Sequence, residues 1–222
     1  MPAGMDLTLV IGNKNYSSWS LRPWLVLKQA GVPFREVSVS LYTETSGAEI
    51  RKYSPSGKVP VLIDGKITVW ESLAIGEYLA DKFPHRHLWP ADPAPCAMAR
   101  SVATEMHAGF SALRQHMSMN CRKHLPGKGR TPEVLKDIAR ITTLWNDCRA
   151  HFGKGGGFLF GKFSIADAMY APVALRFVTY AVELDPVCAA YVQTITALPA
   201  IQQWVADARA ETEVIPQFEP YA

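Results

Sequence analysis

Hydroxyl-bearing residues cluster in one polar loop near the start of the chain, between an apolar run and a helical pattern. The loop Asn13 to Ser20 reads NKNYSSWS, and the helical pattern continues from it to Gly31. A loop that joins the carboxyl end of a strand to a helix is where α/β proteins place ligand chemistry. A hydroxyl donor beside a helix N-terminus would favour the thiolate form of a bound thiol. The same residue types are also typical of an ordinary helix cap, which needs no function.

The stretch from Lys58 to Leu79 holds the second group of candidate residues. It contains two β-branched runs separated by a short turn, which predict a hairpin, and then a helical pattern. A cis bond between Val59 and Pro60 would turn the backbone N–H and C=O of Val59 outward, free to pair with an extended peptide. Ser72 at the helix start offers a hydroxyl and unpaired amides to a carboxylate, and Glu71 precedes it. A strand edge and an anion site are therefore predicted side by side.

The first 83 residues show the element order of a thioredoxin-like domain. Two buried or alternating runs, Asp6 to Ile11 and Arg35 to Ser40, flank the first helix and predict a βαβ unit with parallel strands. A weaker helical pattern runs from Thr45 to Tyr53. The hairpin and the helix after it complete the order β-α-β-α-β-β-α. We therefore predict an α/β domain over residues 1–83.

The composition changes after a proline-rich stretch at 84–95, which predicts a linker. Apolar residues then recur every three or four positions from Cys96 to Arg122, which predicts one long amphipathic helix. Ser164 and Asp167 form a capping-box pattern at the start of a later helix. Further helices are predicted at 131–152, 165–182, 187–194 and 199–210. Residues 96–222 are thus predicted to form an all-α domain.

Several motifs together resemble those of the glutathione transferase superfamily. They are SPSGKVPVL, ESLAIGEYLAD and FSIAD, and the loop motif SSWSLRPWLVL is similar to the serine motif of zeta-class and related bacterial transferases. Ser17 and Ser18 match the two serines of that motif, and Arg22 matches its arginine. Trp19 stands where the motif has a cysteine. This departure speaks against maleylacetoacetate isomerisation.

The resemblance implies a thioredoxin-like plus all-helical enzyme that uses glutathione as co-substrate and needs no metal. Ser17 and Ser18 are the implied catalytic residues, with Ser17 activating the thiol and Ser18 capping the helix. Tyr16 is the competing hydroxyl, because tyrosine has this role in other classes of the superfamily. The implied glutathione-binding residues are Lys58, Val59, Pro60, Glu71 and Ser72, with Glu71 meeting the ammonium and Ser72 the carboxylate of the γ-glutamyl end.

The second substrate is expected between the two halves, against the first long helix. His107, Phe110 and Arg114 lie close on one side of that predicted helix, where an electrophile could rest on apolar groups and an anionic part could meet Arg114. The alternative is a helix–helix core for Phe110 and a solvated charge for Arg114. Arg176 is either a buried ion-pair partner or a wall of this second site.

Composition limits the classes of binding partner and the cellular compartment that we expect. The 222 residues carry 23 basic and 20 acidic side chains, and a net charge of +3 does not suggest nucleic acid or a membrane surface. Four separate cysteines without a CxxC motif predict buried thiols in a reducing cytoplasm. We expect a cytoplasmic homodimer that acts on glutathione and a small electrophile. The alternatives are a zeta-like glutathione-dependent cis-trans isomerase and a non-catalytic ligand-binding member of the fold.

Overall fold

A four-stranded mixed sheet forms the centre of the N-terminal domain in the computed structural model, which describes residues 7–221. Strand β1 (Leu7–Gly12) pairs in parallel with β2 (Arg35–Val39), as predicted. On its other edge β1 pairs antiparallel with β3 (Val61–Asp64), which forms a hairpin with β4 (Ile67–Trp70). The strand order is therefore β2-β1-β3-β4. Asp6, where the first strand was predicted to begin, lies outside the described residues.

Three helices complete this domain and confirm the predicted element order. They are α1 (Ser18–Gln29), α2 (Ser46–Arg51) and α3 (Ser72–Lys82). The Val59–Pro60 peptide bond is cis, as the sequence predicts. Helices α1 and α3 pack against each other and carry the contacts to the C-terminal domain. The polar loop before α1 and the start of α3 therefore both lie near the boundary between the domains.

The rest of the chain is helical, as predicted. Its helices are α4 (Pro93–Ala108), α5 (Ser111–His116), α6 (Pro132–Phe152), α7 (Ile165–Thr179), α8 (Pro186–Thr196) and α9 (Pro199–Ala210). Helix α7 is buried along almost its whole length and packs on α1, α4 and α8. Within residues 7–221, none of the helices has the length and apolarity needed to cross a membrane.

The first helix of the C-terminal domain differs from the sequence prediction at both ends, and α7 ends at Thr179 rather than at residue 182. Helix α4 begins at Pro93, inside the stretch predicted as a linker. Proline is tolerated there because the N–H groups of the first helical turn have no partner within the helix, so the missing N–H of proline costs no hydrogen bond. The single long helix predicted from Cys96 to Arg122 is wrong. Gly109 leaves the helical conformation at φ −95°, ψ −166°, and Phe110 takes a left-handed one at φ 56°. The chain restarts as the short α5 and is irregular beyond His116.

The predicted capping box is present at the start of α7 and is fully buried. The Asp167 carboxylate accepts hydrogen bonds from the Ser164 N–H at 2.8 Å, the Leu159 N–H at 3.1 Å and the Tyr191 hydroxyl at 3.1 Å. Burial raises the pKa of Asp167 to about 6, although these hydrogen bonds lower it. One carboxylate thus joins the loop before α7 to α8.

Replacing Asp167 should destabilise the protein far more than removing an exposed cap. In Asp167→Ala several buried donors lose their acceptor, each at about 1–3 kcal/mol, so we expect the free energy of unfolding to fall by more than about 3 kcal/mol. Asp185→Ala is the matched control, since Asp185 caps α8 at an exposed position and its loss should cost about 1 kcal/mol. Equal losses in urea denaturation would contradict this role of Asp167.

Candidate active site

Two adjoining cavities lie where the polar loop, the turn before β3 and the start of α3 meet. The larger has a volume of about 570 Å³ and extends between the domains, and the smaller has about 180 Å³. Trp19, Lys58 and Val59 line both. Ser17 and Ser18 lie on the wall of the larger cavity, whereas Pro60, Glu71 and Ser72 lie on the wall of the smaller one. The two candidate groups from the sequence therefore share one groove.

The C-terminal domain fixes the loop that precedes α1. The backbone N–H groups of Lys14 and Asn15 donate to the Glu211 carboxylate at 2.6 and 3.0 Å. The Lys14 ammonium pairs with Asp207 of α9 at 2.7 Å. The Asn15 side-chain oxygen accepts the Cys121 N–H at 2.8 Å. Residues more than 100 positions away thus determine the loop's conformation.

The two serines have the opposite arrangement to the one expected. Ser17, not Ser18, is the N-cap of α1, because its oxygen accepts the Ser20 N–H at 3.3 Å. The Ser17 hydroxyl also donates its one proton to the Ser20 hydroxyl at 2.8 Å. Ser20 in turn accepts the Gly12 N–H from the end of β1 at 3.1 Å. The prediction that Ser18 caps the helix is wrong, because the helix begins one residue earlier than its periodicity suggested.

Ser18 instead contacts the C-terminal domain. Its oxygen accepts a hydrogen bond from the Arg176 guanidinium at 3.2 Å, and its own proton remains to be donated. Arg176 is 3% exposed and also binds the carbonyl groups of Met117 and Pro172. Burial and the charge of Arg114 lower the pKa of Arg176 to about 10, which leaves it protonated near neutral pH. A buried cation thus polarises the Ser18 hydroxyl.

The Tyr16 hydroxyl is already engaged by the C-terminal segment. It donates to Glu219 at 2.5 Å and accepts from the Arg122 guanidinium at 2.6 Å. The pKa of Tyr16 is raised by burial and by the hydrogen bond to Glu219. These contacts argue against Tyr16 as the hydroxyl that activates a thiol.

The smaller cavity has the features of an anion site. The Ser72 hydroxyl is at the N-terminus of α3, is 2% exposed as a residue, and finds no hydrogen-bond partner within residues 7–221. The N–H groups of a first helical turn attract negative charge. Glu71 before it has φ 69°, a strained conformation for a residue with a side chain and one that clusters at binding sites.

Trp19 lines both cavities and lies close to cationic side chains. The Arg22 guanidinium lies 4.1 Å from its ring centroid and that of Arg114 lies at 5.5 Å. The His107 ring meets Trp19 edge-on at 5.3 Å, and its Nε2 is 3.7 Å from Glu71. Burial lowers the pKa of His107, and the charges of Arg22 and Arg114 lower it further, so this imidazole is neutral near pH 7.

The structure treats the three residues predicted for the second substrate differently. Arg114 lies on the wall of the larger cavity. His107 contacts Trp19 behind the cavity wall. The prediction that Phe110 contacts the second substrate is wrong. Phe110 is 8% exposed and packs in the hydrophobic core, because the break at Gly109 turns it away from the cavity.

Sequence reasoning missed the distant residues that complete the larger cavity. Tyr42, Met119 and Phe218 line it, and Phe218 comes from the last residues of the chain. None of them belongs to a motif or to a periodic pattern. Only tertiary packing brings them to the groove, so no feature of the sequence could have identified them.

The described residues do not group His, Cys, Asp or Glu side chains as a metal site would require. The four cysteines are free thiols, and burial raises the pKa of Cys121, Cys148 and Cys188 to about 12. Thiols with such pKa values are poor nucleophiles near neutral pH. No cysteine among residues 7–221 lines either cavity, and the polar side chains that do include hydroxyl, guanidinium, ammonium and carboxylate groups.

The chain combines a thioredoxin-like domain, a helical C-terminal domain and a groove lined by Ser17, Ser18 and Ser72, which is the arrangement of a glutathione-transferase-like protein. Two family models match the chain, the N-terminal domain of glutathione S-transferase over residues 16–82 and the C-terminal domain over 99–207. The chain is 35% identical to glutathione S-transferase 1 of Dianthus caryophyllus over 73% of both proteins. It belongs to the glutathione S-transferase family.

Two further similarities bear on the site. The chain is 29% identical to the maleylacetoacetate isomerase of Rattus norvegicus, over 76% of this chain and 77% of that protein. The crystal structure of a glutathione transferase homolog from Burkholderia gl BGR1 with bound glutathione superimposes with a TM-score of 0.70 at 24% identity. That superposition covers 93% of this chain and 100% of the other, and it shows a shared fold.

Removing the Tyr16 hydroxyl should affect stability more than catalysis. In Tyr16→Phe, Arg122 and Glu219 lose a shared partner, so we expect the free energy of unfolding to fall by about 1–3 kcal/mol. Chemical denaturation measures this loss. Tyr42→Phe is the control, because Tyr42 is 64% exposed and its change should be within about 0.5 kcal/mol. An unchanged stability in Tyr16→Phe would mean that its hydroxyl does not hold the C-terminal segment.

Proposed function

We propose that this transferase binds glutathione in the groove and activates its thiol through the Ser18 hydroxyl, for attack on a small electrophilic carbon. The observation that carries the proposal is the Ser18–Arg176 hydrogen bond, which leaves a polarised hydroxyl proton at the cavity wall. The fold shared with a glutathione-bound transferase homolog supports the choice of co-substrate.

Glutathione is proposed to lie extended across both cavities. Its γ-glutamyl carboxylate binds the Ser72 hydroxyl and the N-terminus of α3. The Ser72 hydroxyl is buried and has no hydrogen-bond partner within residues 7–221. Glu71 meets the ammonium group of the same end. The cysteinyl backbone pairs with Val59, which lines both cavities, and the thiol then points toward Ser18.

The reaction needs a thiolate near neutral pH. A thiol of pKa about 8.5 is mostly protonated there, and each unit by which its pKa falls requires about 1.4 kcal/mol. A hydrogen bond to a charged acceptor contributes about 1.5–3 kcal/mol, so the Ser18 donor is sufficient. The thiol releases its proton to solvent, a new C–S bond forms, and the leaving group takes the bonding electrons from the electrophile.

A glutathione-dependent isomerase is the second candidate, supported by the similarity to the rat maleylacetoacetate isomerase. In that reaction the thiolate would add to the substrate and leave again, so the same groove would serve. Trp19 stands at the position of the cysteine in the serine motif and lines both cavities, which favours transfer over isomerisation. The expected homodimer and the cytoplasmic location stay predictions.

Glutathione affinity should depend on the start of α3. In Glu71→Ala/Ser72→Ala the ammonium and carboxylate of the γ-glutamyl end lose their partners, so we expect the dissociation constant to rise tenfold or more, at least about 1.4 kcal/mol. Isothermal titration calorimetry measures the change. Thr68→Ala, an exposed substitution on β4, is the control. Unchanged affinity in the double variant would reject this binding mode.

The two serines should separate catalysis from capping. Ser18→Ala removes the free hydroxyl proton, so we expect turnover to fall about tenfold to a hundredfold, or 1.4–2.7 kcal/mol, and the pKa of the bound thiol to rise. Ser17→Ala should instead lower the free energy of unfolding by about 1 kcal/mol and change turnover less than about threefold. Steady-state kinetics and thiolate absorbance against pH test both.

The opposite pattern would identify Ser17 as the activating residue. In that case Ser17→Ala would lose the thiolate absorbance and Ser18→Ala would keep it. Glutathione affinity, measured for each variant, separates a lost hydroxyl from a lost binding site.

A further inference from the structure

The wall of the larger cavity carries three cationic side chains. They are Arg114, Arg176 and Lys58, and no carboxylate from residues 7–221 lines it. Arg22 lies against Trp19, which lines both cavities. The acidic side chain at the groove, Glu71, belongs to the smaller cavity.

The guanidinium groups of Arg22, Arg114 and Arg176 have only neutral hydrogen-bond partners among the described residues. Arg176 binds two carbonyl groups and the Ser18 hydroxyl. Arg114 donates to the Gly109 carbonyl, and Arg22 donates through Nε to the Met169 carbonyl. Both terminal nitrogens of Arg22 are buried without a partner.

Buried charges of one sign are costly without a counter-ion. Burial and the charges of Arg176 and Arg114 lower the pKa of Arg22 well below its usual value, and burial and Arg114 lower that of Arg176. Asp137 is a carboxylate whose charge acts favourably on Arg114, but it already accepts a hydrogen bond from the Leu113 N–H at 2.9 Å. An anion in the cavity would relieve this repulsion.

Aromatic side chains line the same cavity. The Phe218 ring centroid lies 5.9 Å from that of Tyr16 and 5.3 Å from that of Tyr42. Leu41 and Ile50 add apolar surface to the wall. Rings in such contacts favour a flat apolar ligand that can pack against them.

We propose that the electrophile of this enzyme is an aromatic acid, whose ring packs against Tyr42 and Phe218 and whose acidic group binds Arg114 and Arg176. The inference rests on the proposed function, because it assigns the second substrate of the same groove. The γ-glutamyl carboxylate of glutathione goes to Ser72, and Lys58, which lines both cavities, is the cation for its glycyl carboxylate. The arginine pair then serves the electrophile.

Matched conjugates test the proposal by binding alone. Reaction of 4-chloro-3,5-dinitrobenzoate or its methyl ester with glutathione forms a C–S bond and releases chloride and a proton, which gives an acid conjugate and an ester conjugate. By isothermal titration calorimetry we expect the acid conjugate to bind the wild-type protein at least tenfold more tightly than the ester. The difference should shrink as ionic strength rises, since it is a charge interaction.

Variants of Arg114 test whether this residue causes the preference for the acid conjugate over the ester conjugate. Arg114→Gln should reduce the acid-to-ester preference to less than about threefold, and Arg114→Lys should keep most of it. Arg86→Gln removes an exposed cation outside the groove and should leave the preference unchanged. Circular dichroism of each variant verifies that it is folded.

The outcomes separate this inference from the proposed function. If glutathione and the ester conjugate bind but the acid conjugate binds no more tightly, the inference is wrong and the proposed function stands. A preference that survives in Arg114→Gln also overturns it. If glutathione and both conjugates fail to bind the wild-type protein, the proposed function fails and the inference fails with it.

Discussion

The site depends on one contact, between α1 of the N-terminal domain and α7 of the C-terminal domain. Each helix carries a buried arginine that donates a hydrogen bond to the other helix. Arg22 donates to the Met169 carbonyl at 3.2 Å, and Arg176 donates to the Ser18 hydroxyl at 3.2 Å. A buried guanidinium is costly without hydrogen bonds, and its planar N–H groups donate only along fixed directions. Arg176 donates through all three of its nitrogens, whereas Arg22 donates only through Nε. The pair therefore fixes how the two helices are aligned.

This alignment determines which hydroxyl is free. Because Arg176 reaches Ser18, the oxygen of Ser18 serves as acceptor and its proton remains to be donated. Ser17 donates its proton to Ser20, and Tyr16 donates its own to Glu219. The C-terminal domain thus engages Tyr16 and Ser18, whereas Ser17 is engaged within its own domain. Arg176 also adds positive charge to the cavity wall.

Local patterns predicted the elements well but not the contacts between them. The β-α-β-α-β-β-α order, the Ser164–Asp167 box and the place of Ser72 follow from periodicity and capping rules that act over a few residues. The break at Gly109 was missed because its apolar neighbours continue the helical spacing. Phe110 was therefore assigned to the site although it packs in the core. The Ser18–Arg176 bond joins residues 158 positions apart, and no local rule reports such a pairing.

A crystal structure of this protein with bound glutathione would show which hydroxyl meets the thiol. We expect the glutathione sulfur to lie within about 3.5 Å of the Ser18 oxygen, at hydrogen-bond distance, while Arg176 still donates to that oxygen. Ser17 should remain bonded to Ser20. A sulfur in contact with the Ser17 or Tyr16 oxygen, with Ser18 turned away, would mean that Ser18 does not activate the thiol.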